Sequence, residues 1–343
     1  MGDSLLVYLL RRLLLAIPVL VGISFATFLL LGAWLNPLWQ ALGPVNCDPQ
    51  GPTGGACSAE IQKVMQQYHL DAHLIPRWWY WAKGLFTGDS GRPISDPRGL
   101  RFSEHIWPDV WRAAGHTALL IVFALVLVVI LSVALGVFSA RRAGRPSDVA
   151  ARVVAYSTWS IPAFLLALLL QQLAARIAVV YHWEPLYPGG VPGPEAGTGF
   201  HFVLDWIRHL TLPVVALAIG FVGAYSRYLR SAMLVSLSAP YTTTARAKGI
   251  SERRLTFRHA LRNSLIPFTN VIALDFGALF GASLAVDYVF NQHGLASYLV
   301  QGLFNADPYQ VEPVIVIAAG VVLVSRVIAD VVTAKLDPRV RLA

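Results

Sequence analysis

A chain of 343 residues in which 56% of the side chains are apolar or aromatic and only 13% are charged cannot fold as an ordinary soluble protein, because its surface would expose the excess to water. The formal charge of +8 does not mark a nucleic-acid binder either, since the basic residues fall between long apolar runs and build no basic face of a soluble domain. The composition points instead to an all-α integral membrane protein.

In chain order, the first apolar run is Leu9–Trp34. It is longer than the core of a signal peptide and lacks a small-residue cleavage site, so it reads as a retained first span covering residues 1–34. Residues 35–112 form a large extracytoplasmic loop. From Pro37 to Cys57 it is rich in Gly and Pro and reads as irregular. Ile61, Val64, Met65 and Tyr68 then fall at helical spacing. Trp78, Trp79, Tyr80 and Trp81 follow, an aromatic cluster suited to the membrane–water boundary. His69 and His73 stand four apart and would share a helix face able to hold a metal, but no third ligand is evident, so they read as polar surface.

Five further runs reach the roughly 20 residues that a spanning helix needs: Thr117–Ala140, Val153–Val180, Leu210–Leu229, Leu265–Phe290 and Val311–Val332. Together they make a five-helix core over residues 113–343. Pro18, Pro162, Pro213, Pro267 and Pro313 lie in or beside the runs, where packed neighbours tolerate them. The second outer loop, Tyr181–Arg208, is again rich in Gly and Pro. Orientation follows from the arginines: Arg11, Arg12, Arg141, Arg142, Arg145, Arg152, Arg227 and Arg230 all flank one side, together with the basic loop 231–263. That asymmetry places both termini in the cytoplasm. Within spans, Asp275 is the deepest acid by counting, Asp287 falls near the outer end of span five, and Arg326 and Asp330 are spaced as an ion pair. Small residues from Gly277 to Ser283 favour close helix packing around Asp275, which either faces a pathway or packs on a partner.

The loop between spans four and five is different in kind. Tyr241–Lys248 is helix-compatible, Gly249 suits a helix C-terminus, and Ser251 is placed to cap a second helix over Ser251–Arg262. Helix, glycine corner, helix is a shape for docking. No Gly-x-x-x-x-Gly-Lys-Ser/Thr element exists, so the chain carries no phosphate-cradling loop of that type.

The stretch Tyr241-Thr-Thr-Thr-Ala-Arg-Ala-Lys-Gly-Ile250, followed by Arg258-His-Ala-Leu-Arg-Asn-Ser-Leu-Ile-Pro267, resembles the cytoplasmic coupling loop of binding-protein-dependent ABC importers, in the variant of oligopeptide and dipeptide permeases. Tyr8-Leu-Leu-Arg-Arg12, Gly88-Asp-Ser-Gly91, Asp287-Tyr-Val-Phe290 with His293-Gly294, and Leu336-Asp-Pro-Arg-Val-Arg341 extend the resemblance along the chain. There are departures. The acidic element of the loop reads Thr243-Thr-Ala245, Pro267 lies farther from Gly249 than in sugar importers, and the first loop is long.

The resemblance implies a permease subunit that moves peptides inward by alternating access, oligopeptides in preference to dipeptides. It implies a second homologous permease subunit, ATPase subunits as two chains or one fused chain, and an extracytoplasmic peptide-binding protein. ATP and Mg would be bound on the ATPase, with no cofactor in this chain. Thr244, Ala245, Arg246, Ala247, Lys248, Gly249, Arg253 and Arg254 would couple ATP hydrolysis to the spans, the cations pairing with acids on the partner. A stand-alone secondary transporter or channel is the alternative, and it predicts inverted repeats or interrupted helices in matching halves, which the sequence does not display. An intramembrane enzyme would need paired catalytic residues within spans, and none is seen.

Cys47 and Cys57 are the two cysteines, both in the first outer loop, where a disulfide would pin the Gly/Pro stretch. A non-reduced digest is expected to yield a linked Cys47–Cys57 peptide in mass spectrometry. Recovery of both thiols fully alkylated from fresh membranes excludes the bond.

Overall fold

The computed structural model describes residues 2–34, 62, 65–66, 69, 72–87, 106–182, 185–193 and 199–336. Cys47, Cys57, Ile61, Val64 and Tyr68 lie outside the described residues. The described secondary structure is helical: α1 Gly2–Trp34, α2 Leu74–Thr87, α3 Ile106–Arg141, α4 Pro146–Trp159, α5 Ala163–Tyr181, α6 Phe200–Ser238, α7 Pro240–Ala247, α8 Glu252–Phe290, α9 Leu295–Phe304 and α10 Pro308–Leu336. Among the described residues α1, α3, α5, α6, α8 and α10 are the helices long and apolar enough to cross a membrane, six in all. The chain is a multi-pass membrane protein.

Helices run beyond their apolar cores. α6 and α8 each hold 39 residues. At about 1.5 Å per residue each is close to 60 Å long, against a hydrocarbon thickness of about 30 Å. One expected span is cut. The run Val153–Val180 is broken at Ser160-Ile161-Pro162, so that α4 ends at Trp159 and α5 begins at Ala163. Proline disfavours the α conformation in the residue before it, and Pro162 itself has ψ 137°. Its carbonyl then accepts the first amides of α5, from Leu165 and Leu166. α9 has no counterpart among the expected elements. His69 adopts a left-handed turn (φ 51°) and stacks on Tyr80, so it shares no helix face with His73.

Two compact units divide the chain. One comprises Met1–Tyr8, Thr117–Gln292 and Val324–Ala343; the other Leu9–His116 and His293–Leu323. In the first, α6 is the axis. Val128 and Val137 of α3, Ala218, Tyr225, Leu229 and Met233 of α6, and Ala260 and Phe268 of α8 form its apolar core. α4 lies against α6 so closely that a Cβ added to Gly223 would sit 2.3 Å from the Ala155 carbonyl oxygen. On the other flank of α6, a Cβ on Gly136 would meet Leu229 at 2.9 Å.

The second unit joins α1 to α2 through aromatic packing. Trp78 meets Phe25 edge-on at 5.4 Å and donates its indole N–H to Ser24 Oγ at 3.0 Å. Trp81 is buried beside Phe28, while Trp79 and Tyr80 point outward, so the aromatic cluster divides between the core and the exposed face. In the same unit α9 closes with a six-to-one bond from Asp307 N–H to Gly302 O and a five-to-two bond from Ala306 N–H to Leu303 O. Ala306 takes the left-handed position (φ 48°) that glycine usually fills. The Asp307 carboxylate then accepts the Tyr309 and Gln310 amides and caps α10.

Gly223→Ala is expected to destabilise the fold by roughly 1–3 kcal/mol, because the methyl must push the Ala155 backbone away. Gly220→Ala serves as the control, since its Cβ would meet nothing closer than 4.0 Å. Thermal unfolding in detergent followed by tryptophan fluorescence separates the two. Equal melting temperatures would contradict the close approach.

Candidate functional site

The loop after α6 is an ordered hairpin. α6 ends at Ser238 and Pro240 opens α7, where its missing N–H costs nothing. Thr242 is buried and its hydroxyl lies 3.0 Å from Leu237 O and 2.6 Å from Ala239 O, which ties α7 back to the end of α6. α7 closes on Gly249 (φ +77°): the Gly249 N–H donates to Arg246 O at 2.9 Å and the Ile250 N–H to Ala245 O at 3.2 Å. Both bonds of a Schellman closure are present, and a side chain at Gly249 would carry about 1–2 kcal/mol of left-handed strain.

Ser251 occupies the N-cap of α8 by its backbone, its carbonyl accepting Leu255 N–H at 2.9 Å, but its side chain makes no capping bond. The expected hydroxyl cap is therefore absent. The N-terminal turn is instead clamped by Arg246, whose Nε reaches Glu252 Oε1 at 2.7 Å and whose Nη1 donates to Leu237 O at 3.5 Å. Arg246 thus spans the corner within the chain.

The second arm does not stop before span five. Residues 252–290 form one helix, of which Leu255–Ala260 is π-helical. A π turn widens the helix by one residue and is concentrated at functional sites. Here it buries Leu255, Thr256 and Ala260 and leaves Phe257 outside, with the Arg141 guanidinium 5.9 Å from its ring. Thr244, Arg246, Ala247, Lys248, Gly249, Arg253 and Arg254 are exposed, and Ala245 is half-buried. The expected coupling residues therefore share one accessible hairpin whose inner side is anchored.

The acids of span five separate by burial. Asp275 is half-buried on α8, while Asp287 has no solvent exposure. Near Asp287, the end of α8 is sealed by amides: Gln171 Nε2 donates to Val289 O at 2.7 Å, Gly190 N–H to Phe290 O at 2.7 Å, and Gln292 Nε2 to Gly190 O at 2.8 Å. Gly189 touches the same carbonyl, where a Cβ would lie 2.8 Å away. The Gly/Pro loop after α5 is thus fastened to the end of α8. Arg326 and Asp330 both lie on α10. Among the described residues no cluster of three or more metal-ligating side chains occurs.

Sequence reasoning missed the centre of the first unit. Asp148, in the first turn of α4, is fully buried and accepts a bidentate pair from Arg230 of α6, Nε to Oδ1 at 2.9 Å and Nη2 to Oδ2 at 2.8 Å. Its carboxylate also accepts the Ser139 hydroxyl from the end of α3 and the Gly144 N–H at 3.1 Å. Arg230 bonded to it holds the Asp148 carboxyl well below the usual carboxylate range; burial pushes the other way, and the Ser139 and Gly144 donors reinforce the arginine. Pro146 at the helix start and an acid in the first turn were the available local signals. The pairing with Arg230 was not legible.

Residues 132–342 match the family described as "Binding-protein-dependent transport system inner membrane component". The chain is similar to the oligopeptide transport system permease protein AppB of Bacillus subtilis, 30% identical over 334 residues covering 97% of this chain and 98% of that relative. It is also similar to the dipeptide transport system permease protein DppB of Alkalihalophilus pseudofirmus, 28% identical over 98% of this chain and 100% of that relative. The glutathione transport system permease protein GsiC of Escherichia coli is 28% identical over 97% of this chain and 98% of that relative.

Asp148→Asn is expected to lower stability by about 3–5 kcal/mol, because it leaves the largely buried Arg230 without its counter-charge. A carboxylate whose folded pKa is depressed contributes stability above its unfolded value, near 4, and loses it as the pH falls toward the folded value. Between about pH 5 and 8 the difference between wild type and variant should therefore stay constant in thermal unfolding, and it should shrink only below about pH 4. A difference that changes across the neutral range would disprove the assignment.

Proposed function

This chain belongs to the family of binding-protein-dependent transport system inner membrane components, and from that premise we propose that it is the permease subunit of an ATP-driven peptide importer. The observation that carries the proposal is the exposed α7–Gly249–α8 hairpin, in a chain similar over nearly its whole length to peptide permeases. Peptide is the cargo class, because the relatives are named for oligopeptide, dipeptide and glutathione transport. The long first loop does not separate oligopeptide from dipeptide use, since the dipeptide relative aligns over its full length.

In this reading ATP and Mg are bound and hydrolysed on a partner ATPase, an external binding protein delivers the peptide, and a second, homologous permease subunit completes the passage. The hairpin receives the motion of the ATPase. Arg253, Arg254 and Lys248 face outward and supply charge for docking, which guides encounter and register more than it adds affinity. Arg246 holds the corner rigid through Glu252, so force on α7 passes into α6 and α8 together. Asp287, being fully buried, is a packing residue, and the half-buried Asp275 is the deep acid we assign to the passage. A stand-alone transporter would give no reason for so ordered a hairpin outside the spans.

Reversing the outward charges with Arg253→Glu and Arg254→Glu is expected to reduce co-purification of the ATPase at least tenfold, about 1.4 kcal/mol. Peptide uptake should fall with it, while the amount of protein in the membrane is unchanged. Gly249→Pro should behave in the same way. Wild-type ATPase recovery together with wild-type uptake in both variants would sink the coupling assignment.

A further inference from the structure

Beside the Asp148–Arg230 pair, a small recess opens between α3, α4 and α6, and Arg152, Arg227 and Arg230 reach into it. Three arginines line it, and two of them, Arg152 and Arg230, share the neighbouring Asp148 carboxylate. Asp148 is already committed to Arg230, Ser139 and Gly144. Arg152 stands 3.6 Å from Asp148 Oδ1 and its Nε makes no hydrogen bond. Arg227 pairs with no carboxylate among the described residues. It is held instead by aromatic faces: Trp159 at 5.1 Å, Tyr228 at 5.5 Å and Tyr156 at 5.6 Å from its guanidinium carbon. Rings on several sides strip water from the cation and leave its N–H edge for an acceptor.

The surroundings identify the acceptor. Tyr156, Trp159 and Tyr228 are each about half exposed, and Val153 and Val154 beside them on α4 are more exposed still. A soluble acidic partner would leave these apolar groups in water, whereas a lipid covers them. Tryptophan and tyrosine at the ends of spans sit at the headgroup level, and basic residues beside them attract anionic lipid. Arg227 and Arg230 come from the stretch of α6 where its apolar run ends, on the side that the arginine bias assigns to the cytoplasm. We propose that this recess binds an anionic glycerophospholipid of the inner leaflet, with its phosphate between Arg152 and Arg227 and its acyl chains over Val153, Tyr156 and Trp159. The bound lipid supplies the anion that Asp148 does not, and it fastens α4 to α6 from outside as Asp148 does from within. This inference concerns lipid and stands apart from the transport assignment.

The test is native mass spectrometry of the full-length protein, purified with whatever subunits accompany it and exposed to phosphatidylglycerol or phosphatidylcholine. Phosphatidylglycerol should bind and phosphatidylcholine should not. Arg152→Gln with Arg227→Gln should weaken phosphatidylglycerol binding at least tenfold, while lysine at both positions preserves most of it. Arg253→Gln with Arg254→Gln, on the exposed hairpin, should leave lipid binding unchanged even where the ATPase is lost, and inorganic phosphate at equal concentration should not displace the lipid. Equal binding of phosphatidylcholine, retention of phosphatidylglycerol by the glutamine pair, or displacement by free phosphate each overturns the proposal. So does loss of a protein subunit from the glutamine pair with lipid binding intact, which would make the recess a protein contact. Should the glutamine pair fail to fold, Trp159→Ala is read in its place; it should weaken the lipid at least threefold, and unchanged binding refutes the site.

Discussion

Asp148 and Arg230 form a desolvated ion pair in which each hydrogen bond is aimed, and the packing of the first unit depends on it. A carboxylate with no exposure is tolerable only when its lone pairs are filled, and here four donor groups on three residues fill them. Ser139 brings the end of α3, Gly144 fixes the turn, Asp148 begins α4, and Arg230 belongs to α6. The carboxylate sets the axial position of α4 on α6, and that position puts Ala155 against Gly223 and the rings of Tyr156 and Trp159 around Arg227. A larger residue at Gly223 or a shifted α4 would pull the ion pair out of line. Charge and shape therefore enforce the same register.

The remaining strain of an apolar protein falls on its helix ends, where backbone groups lose their partners. The described ends are closed by different devices. α7 uses glycine in the left-handed region, α8 is sealed by the amides of Gln171, Gly190 and Gln292, and α9 ends on Ala306 before Asp307 caps α10. The closure of α8 uses residues far apart in sequence. That is why the Gly/Pro loop after α5, which lacks periodicity, is nevertheless a fitted part of the structure.

What was legible in the sequence was local. Spans follow from apolar length, and the hairpin from Gly249 between two helix-compatible stretches. The failures have physical causes. The run Val153–Val180 looked continuous because hydropathy is blind to the backbone conformation that Pro162 imposes on Ile161. α9 was passed over although Leu295, Tyr298, Leu299 and Gly302 lie on one helical face, because ten residues are too few to span. Ser251 stands where a side chain caps a helix, but Arg246 and Glu252 bridge the corner and the hydroxyl makes no capping bond. Arg230 enters the sequence only as one of the arginines that set orientation, since its partnership with Asp148 joins positions 82 apart and no spacing rule reaches that far. The coupling residues belong to the first kind: a short motif states where they are. It does not state that Arg246 is tied to Glu252 across the corner while Arg253 and Arg254 stay exposed.

The unbroken course of α8 has a mechanical corollary. A helix of about 58 Å whose apolar run, Leu265–Phe290, fills its last two thirds is a lever with unequal arms, the longer one reaching out to the hairpin. Tilting it by about 10° about the centre of that run sweeps Glu252 through about 7 Å, more than one helical turn, and Phe290 through about 3 Å. Displacement arriving at Leu255 is thus delivered to Phe290 in the opposite direction and at about half the amplitude. With a hinge between hairpin and span, most of that stroke would be spent in bending the joint.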